Sequence, residues 1–278
     1  MIKVGEVEIK PGRFPDNSLA LKLNEDVFRQ YTFRKYEHPR NIGIEITWSY
    51  EDDSEMFVLQ CVVDVLRRMG YVHISLYMPY LVHARMDRIK SPEENFSLKV
   101  FADWLNGLNF ESVRVNNVHS VVSEALIKNI HNVMPERDIT YCIGRYHPDM
   151  IFFPDEGACK RYGDLDVIKN SNLPVAFGIK KRDWKTGDIL GLDIIGENIE
   201  GKDILIIDDI CSKGSTFYFS GKKLKEMGAK DVALYVTHCE DTIEKGKLLT
   251  TDYISKIYTT NSICHVEHEK IEIINRFY

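Results

Sequence analysis

The chain has 278 residues, room for two α/β domains or one large one. Its 42 acidic residues outnumber 36 basic ones, so the surface as a whole repels nucleic acid and any phosphate site must be local. A 44% hydrophobic content is ample for a core. No apolar run reaches the length of a membrane span, and Met1-Ile2-Lys3-Val4-Gly5-Glu6 lacks a secretory apolar core, so a cytoplasmic protein is expected. Met56, Leu59, Val62, Val63, Leu66 and Met69 mark one face of a helix closed by Gly70. Residues 72–77 read as a strand stopped by Pro79. Phe101, Trp104, Leu105 and Leu108 mark a second helix, followed by a strand through Val113-Arg114-Val115. Segment 131–148, with Pro135, Gly144 and Pro148, is the best candidate linker. Beyond it the cycle restarts: strands at 150–153, 175–177 and 204–207, a helix over 215–227, and a strand at 232–236. Strands alternating with helices predict two α/β domains, 1–135 and 136–278, with mostly parallel sheets flanked by helices. The six cysteines (61, 142, 159, 211, 239, 264) form no CxxC pair and read as buried thiols, Cys211 included.

The most informative stretch is Asp208-Asp209-Ile210-Cys211-Ser212-Lys213-Gly214-Ser215-Thr216. A buried strand, two adjacent carboxylates and a short polar loop at a helix start build a site for a phosphorylated sugar. Backbone N–H groups at the helix start hold the phosphate. Asp208 and Asp209 can accept from vicinal ribose hydroxyls. A second stretch, Tyr77 to Arg88, lies at the carboxyl end of a strand, where open α/β sheets bind ligands. There Arg85 and Arg88 suit nucleotide phosphates, with Asp87 fixing their geometry. His119 taken alone reads as a packed histidine, and Lys180-Lys181-Arg182 as a solvated charge run.

These segments resemble, in order, those of the ribose-phosphate pyrophosphokinases (PRPP synthetases). Arg13-Phe14-Pro15-Asp16 looks like the family's Arg-Phe-Ser-Asp. Residues 63–68 look like its Val-Asp-Ala-Leu-Arg-Arg, and residues 100–105 resemble its next helix. Residues 79–88 resemble Pro-Tyr-x-x-Tyr-Ala-Arg-Gln-Asp-Arg. Val118-His119-Ser120 stands where the family has Leu-His-Ala. Residues 153–158 stand where it has Ser-Pro-Asp-x-Gly-Gly, and 180–182 where it has Lys-Arg-Arg. The Asp-Asp loop, which also resembles that of type I phosphoribosyltransferases, closes the series.

The resemblance implies two phosphoribosyltransferase-like domains and an ATP-dependent diphosphokinase. Phe14 would stack on adenine and Asp16 read its amino edge, the loop reaching a neighbouring subunit of a homo-oligomer. Arg85 and Arg88 would hold ATP phosphates, and His119 and Asp155 would ligate Mg²⁺. Lys180 and Arg182, on a mobile loop, would stabilise the transferring diphosphate. Asp208 and Asp209 would bind the ribose, and Lys213, Gly214, Ser215 and Thr216 the 5-phosphate. The β,γ-diphosphate of ATP would pass to the anomeric hydroxyl of ribose 5-phosphate, releasing AMP. Met86 replaces the family's Gln, Ser18 its usual Glu, Lys213 a Thr and Ser215 a Gly. An added lysine suits a larger anion, so ADP-ribose, giving ADP-ribose 1-diphosphate for rebuilding NAD, is the other expected acceptor. The competing readings are a catalytically inactive regulatory subunit and a phosphoribosyltransferase. No nucleic-acid or membrane partner is expected.

Overall fold

The computed structural model of the chain describes residues 1–31, 39–182 and 189–275. Residues 180–182 and 189–192 are described by backbone alone. It divides into two compact units, Met1–Met134 and Pro135–Tyr278.

The first unit starts with β1 (Ile2–Val4), β2 (Val7–Glu8) and a small hairpin of β3 (Gly12–Arg13) and β4 (Leu19–Ala20). It continues through α1 (Glu25–Arg29), β5 (Gly43–Trp48), α2 (Glu55–Arg68) and β6 (His73–Met78). It ends with α3 (Ser97–Gly107), β7 (Ser112–Asn116), α4 (Val122–Leu126) and β8 (Ile130–Val133). The sheet order is β2-β1-β5-β6-β7-β8. β5 to β8 run parallel, while β1 is antiparallel to both its neighbours. α2 forms where its apolar residues recur at three- and four-residue spacing, which buries Val58, Leu59, Val62, Val63 and Leu66. α3 buries Leu98, Phe101, Ala102 and Leu105 in the same way. These stripes meet Ile44, Ile46, Trp48, Ile74, Leu76, Val113 and Val115 in one core.

The second unit comprises α5 (Glu136–Tyr146), β9 (Met150–Phe153), α6 (Glu156–Tyr162), α7 (Asp166–Ser171), β10 (Val175–Arg182) and β11 (Ile189–Ile195). β12 (Asp203–Cys211), α8 (Ser215–Glu226), β13 (Asp231–Cys239), β14 (Lys256–Thr260) and β15 (Ile271–Ile274) complete it. Its sheet runs β11-β10-β9-β12-β13-β14-β15, parallel except for the β10–β11 hairpin. All four residues of β9 are fully buried, as a central parallel strand requires. No helix among the described residues is long and apolar enough to cross a membrane.

Both sheets are mostly parallel and accompanied by helices, as expected from the alternating pattern. The two units meet inside segment 131–148, at 134/135, but the segment is mostly structured: it holds the end of β8 and all of α5. Pro135 sits at the N-cap of α5, where its missing N–H costs nothing. Gly144 is accommodated inside the helix, and His147 ends it in a left-handed conformation. β10 extends five residues beyond Phe177, so the backbone of Lys180 and Arg182 belongs to a strand and not to a loop.

Candidate active site

In the second unit, ligands are expected at the carboxyl ends of the parallel strands, and three acids lie there. Asp155 follows β9 and caps α6, its Oδ1 accepting from the Ala158 N–H at 3.0 Å. That bond commits one of its two oxygens to the helix. Asp208 and Asp209 lie on the neighbouring strand. β12 does not stop before them: Asp208 pairs with Val236, and the ladder runs on to Cys211 opposite Cys239. The two acids are therefore held by strand hydrogen bonds, more rigidly than a loop would hold them.

Their environments differ. Asp209 is buried, and its Oδ2 accepts from Arg161 Nη1 on α6 at 2.9 Å. Burial works against the charge on Arg161, but Asp209 and then Tyr162 and Asp208 outweigh it and hold the guanidinium above its ordinary value. Asp208 is half-exposed by surface but closely surrounded. Desolvation, then the charge of Asp209, push its carboxyl well above the usual range. The Asp209 N–H, donating to Asp208 Oδ1 at 2.9 Å, offsets part of this, and Asp155 adds to the rise. Such a carboxyl is receptive to hydroxyl donors or to cationic charge brought by a ligand.

The loop after β12 leads straight into α8. Gly214 is its N-cap, with φ +75°, and no side chain caps the helix. The first-turn N–H groups are thus left to solvent or an anion. A Cβ on Gly214 would lie 2.1 Å from Leu248 Cδ1, and one on Gly246 would lie 1.9 Å from the Lys213 carbonyl oxygen. The loop is therefore packed against residues 246–248. Lys213 and Ser215 are exposed, and Thr216 is half-buried. The side chains of Lys180 and Arg182 lie outside the described residues; their strand neighbours β9, which leads into Asp155.

The first unit has its own cluster at the ends of β6 and β7. Asp87 accepts from Arg88 Nε at 2.8 Å and from Ser120 Oγ at 2.7 Å. The Arg88 bond holds its carboxyl below the usual range against partial burial, with help from Ser120, Arg88's charge and His119. The strand-end segments around residues 87 and 120 are thus brought together. Arg85 and Arg88 are exposed. His119 is half-buried, and its neighbour Ser120 makes the link to Asp87. Phe14 stands at the tip of the β3–β4 hairpin, 57% exposed. Asp16 Oδ1 is taken by Ser18, through Oγ at 2.6 Å and N–H at 2.9 Å, which lowers its carboxyl.

Among the described residues no group of three or more His, Cys, Asp or Glu is arranged to hold a metal ion. Arg161 is the site residue that sequence reasoning missed. Its partner lies 48 residues away, and no local pattern announces such a pair.

Two mostly parallel sheets flanked by helices, the second with an acid pair ahead of an uncapped helix start, define a two-unit α/β fold. The solved phosphoribosylpyrophosphate synthetase of Mycobacterium smegmatis has this fold: it superposes with a TM-score of 0.74 at 18% identity, covering 96% of this chain and 86% of that one. No protein-family model matches the chain. The ribose-phosphate pyrophosphokinase of Pyrococcus furiosus is 26% identical over 267 residues, 94% of this chain and 87% of its own length. That of Saccharolobus solfataricus is 28% identical over 240 residues, 86% of this chain and 78% of its own. The chain is a homologue of the ribose-phosphate pyrophosphokinases along most of its length.

Proposed function

We propose that the protein transfers the β,γ-diphosphate of ATP to the anomeric hydroxyl of a 5-phosphoribosyl acceptor, releasing AMP. The carrying observation is the junction at the end of β12, where Asp208 and Asp209 are followed within five residues by the uncapped start of α8. That spacing suits a sugar phosphate. Vicinal hydroxyls donate to the carboxylates, while the 5-phosphate accepts from the first-turn N–H groups. Ribose 5-phosphate is the first acceptor, in line with the name of the relatives.

In the first unit Arg85 and Arg88 are placed to bind ATP phosphates. Arg88 can leave Asp87 for a ligand at modest cost, because its own side chain is open to solvent and Asp87 keeps its bond from Ser120. Phe14 offers adenine an exposed ring, on a neighbouring subunit if the protein is a homo-oligomer. Lys180 and Arg182 supply positive charge where it is needed in the transfer, which requires no covalent enzyme intermediate. Mg²⁺ suits this chemistry: Asp155, at the start of α6, brings a hard carboxylate, and Mg²⁺ retains water and needs few protein ligands. His119 and Asp155 are the proposed ligands, and the ion would neutralise charge across the phosphates.

Lys213 favours a second acceptor, ADP-ribose. It places an exposed cation on the phosphate loop, beyond what one phosphate monoester requires. The product, ADP-ribose 1-diphosphate, is an activated donor for rebuilding NAD. The test is incubation with ATP, Mg²⁺ and each sugar, with mass spectrometry of the products. AMP should form in step with a 1-diphosphorylated sugar. Stoichiometric ADP would indicate an ordinary kinase. No turnover would indicate an inactive subunit, and a base-dependent reaction from PRPP a phosphoribosyltransferase.

A further inference from the structure

Asp208 and Asp209 look interchangeable in the sequence, and the structure separates them. Asp209 is 5% exposed and faces Arg161 across 2.9 Å. Arg161 is held in place by its surroundings. It follows Asp155 on α6, whose start is fixed by the Asp155 cap. Its neighbour Tyr162 is fully buried and stacks on Phe153 of β9, with ring centroids 6.2 Å apart. The guanidinium thus extends from an anchored helix to the adjacent strand and has little freedom to turn away. Two adjacent carboxylates, Asp209 buried and Asp208 partly so, repel each other, and burial adds a desolvation cost. A fixed cation beside one of them lets both persist at the end of one strand.

We infer that Arg161 is a positioning residue for the acceptor site, acting through Asp209. By pinning that carboxylate it fixes the end of β12 and leaves Asp208 to receive the acceptor's hydroxyls. The inference rests on the diphosphotransferase reading above.

The test compares wild type with Arg161→Met, Arg161→Lys, Asp209→Asn and the double variant Arg161→Met/Asp209→Asn. AMP formation gives kcat and separate KM values for ATP and for whichever sugar the wild type uses. Arg161→Met should raise the acceptor KM roughly tenfold or more, the scale of one lost charge-assisted bond, and leave the KM for ATP within about twofold. Arg161→Lys keeps the charge but not the planar fork, so it should recover most of the loss, to about threefold. The double variant should be no worse than the poorer single one, because both act on one contact. Equal rises in both KM values, an unchanged acceptor KM, or full additivity in the double variant would overturn the role of Arg161 while leaving the reaction standing. If Arg161→Met does not fold, Arg161→Lys takes its place, and an unchanged acceptor KM there overturns the inference. A wild type that forms no AMP with either sugar removes the reaction and this role together.

Discussion

Each unit sets an aspartate against an arginine beside its candidate site, and the two pairs are physically unlike. Asp87 and Arg88 are sequence neighbours, and the arginine side chain is 73% exposed. Asp209 and Arg161 are brought together by the fold, at 6% and 23% exposure. An arginine in solvent beside a half-buried acid gains little from the contact and gives up little when a ligand takes it. A buried pair has already met its desolvation cost, and losing one member strands the other. The first pair is suited to exchanging partners with a passing phosphate. The second is suited to holding a shape.

This contrast can be broken most directly by stability. Asp209→Ala should cost about 3–5 kcal/mol in chemical denaturation by stranding Arg161, whereas Arg88→Ala should cost less than about 1 kcal/mol. Similar losses for both would erase the distinction. Kinetics sharpens it next. Lys180→Ala should reduce kcat by roughly a hundredfold, about 3 kcal/mol in the transition state, with a small change in KM. Arg85→Ala in the first unit should act mainly on the KM for ATP. Steady-state assays varying ATP separate the two, and a near-normal kcat removes Lys180 from catalysis.

A smaller effect is expected at the phosphate loop. Lys213→Thr with Ser215→Gly should shift kcat/KM toward ribose 5-phosphate over ADP-ribose by roughly tenfold, one charge-assisted bond of about 1.5 kcal/mol. Competition between the two acceptors measures it. If the wild type uses only ribose 5-phosphate and the ratio does not move, the loop's departures are neutral.

The smallest effect concerns Asp208. Its folded carboxyl is raised, so folding takes up a proton and stability falls as pH rises above the unfolded value of about 3.9. Asp208→Asn should therefore raise Tm at pH 7, and the gain should vanish below about pH 3, where the acid is protonated in both states. Thermal unfolding across that range checks it; a lower Tm at pH 7 would contradict the sign.

Elements whose apolar spacing repeats over several turns were readable in advance, as α2, α3 and α8 show. So was the succession of strand, acid pair, loop and helix, because each part is local. The region 131–148 holds the boundary between the units, but its proline and glycine mark a helix as well as a break, Pro135 standing at the start of α5. β1 to β5, β8, β11, β14 and β15 lie outside the strands the sequence pattern marks. β14 and β15 are short, and their strand character comes from the neighbours they pair with. The unequal roles of Asp208 and Asp209 were equally hidden. They depend on Arg161, which only the packing of α6 against the sheet brings near.

The close fit of Lys213 and Gly214 against Gly246 and Leu248 bears on how this site can be altered. The phosphate loop behaves as a two-part component whose halves are more than thirty residues apart in the chain. A loop transplanted from a relative without its matching 246–248 segment would arrive with the wrong mould. Directed evolution of acceptor preference should therefore recover compensating changes at Gly246 or Leu248 together with those at Lys213, and libraries confined to the loop would sample only part of the accessible specificities.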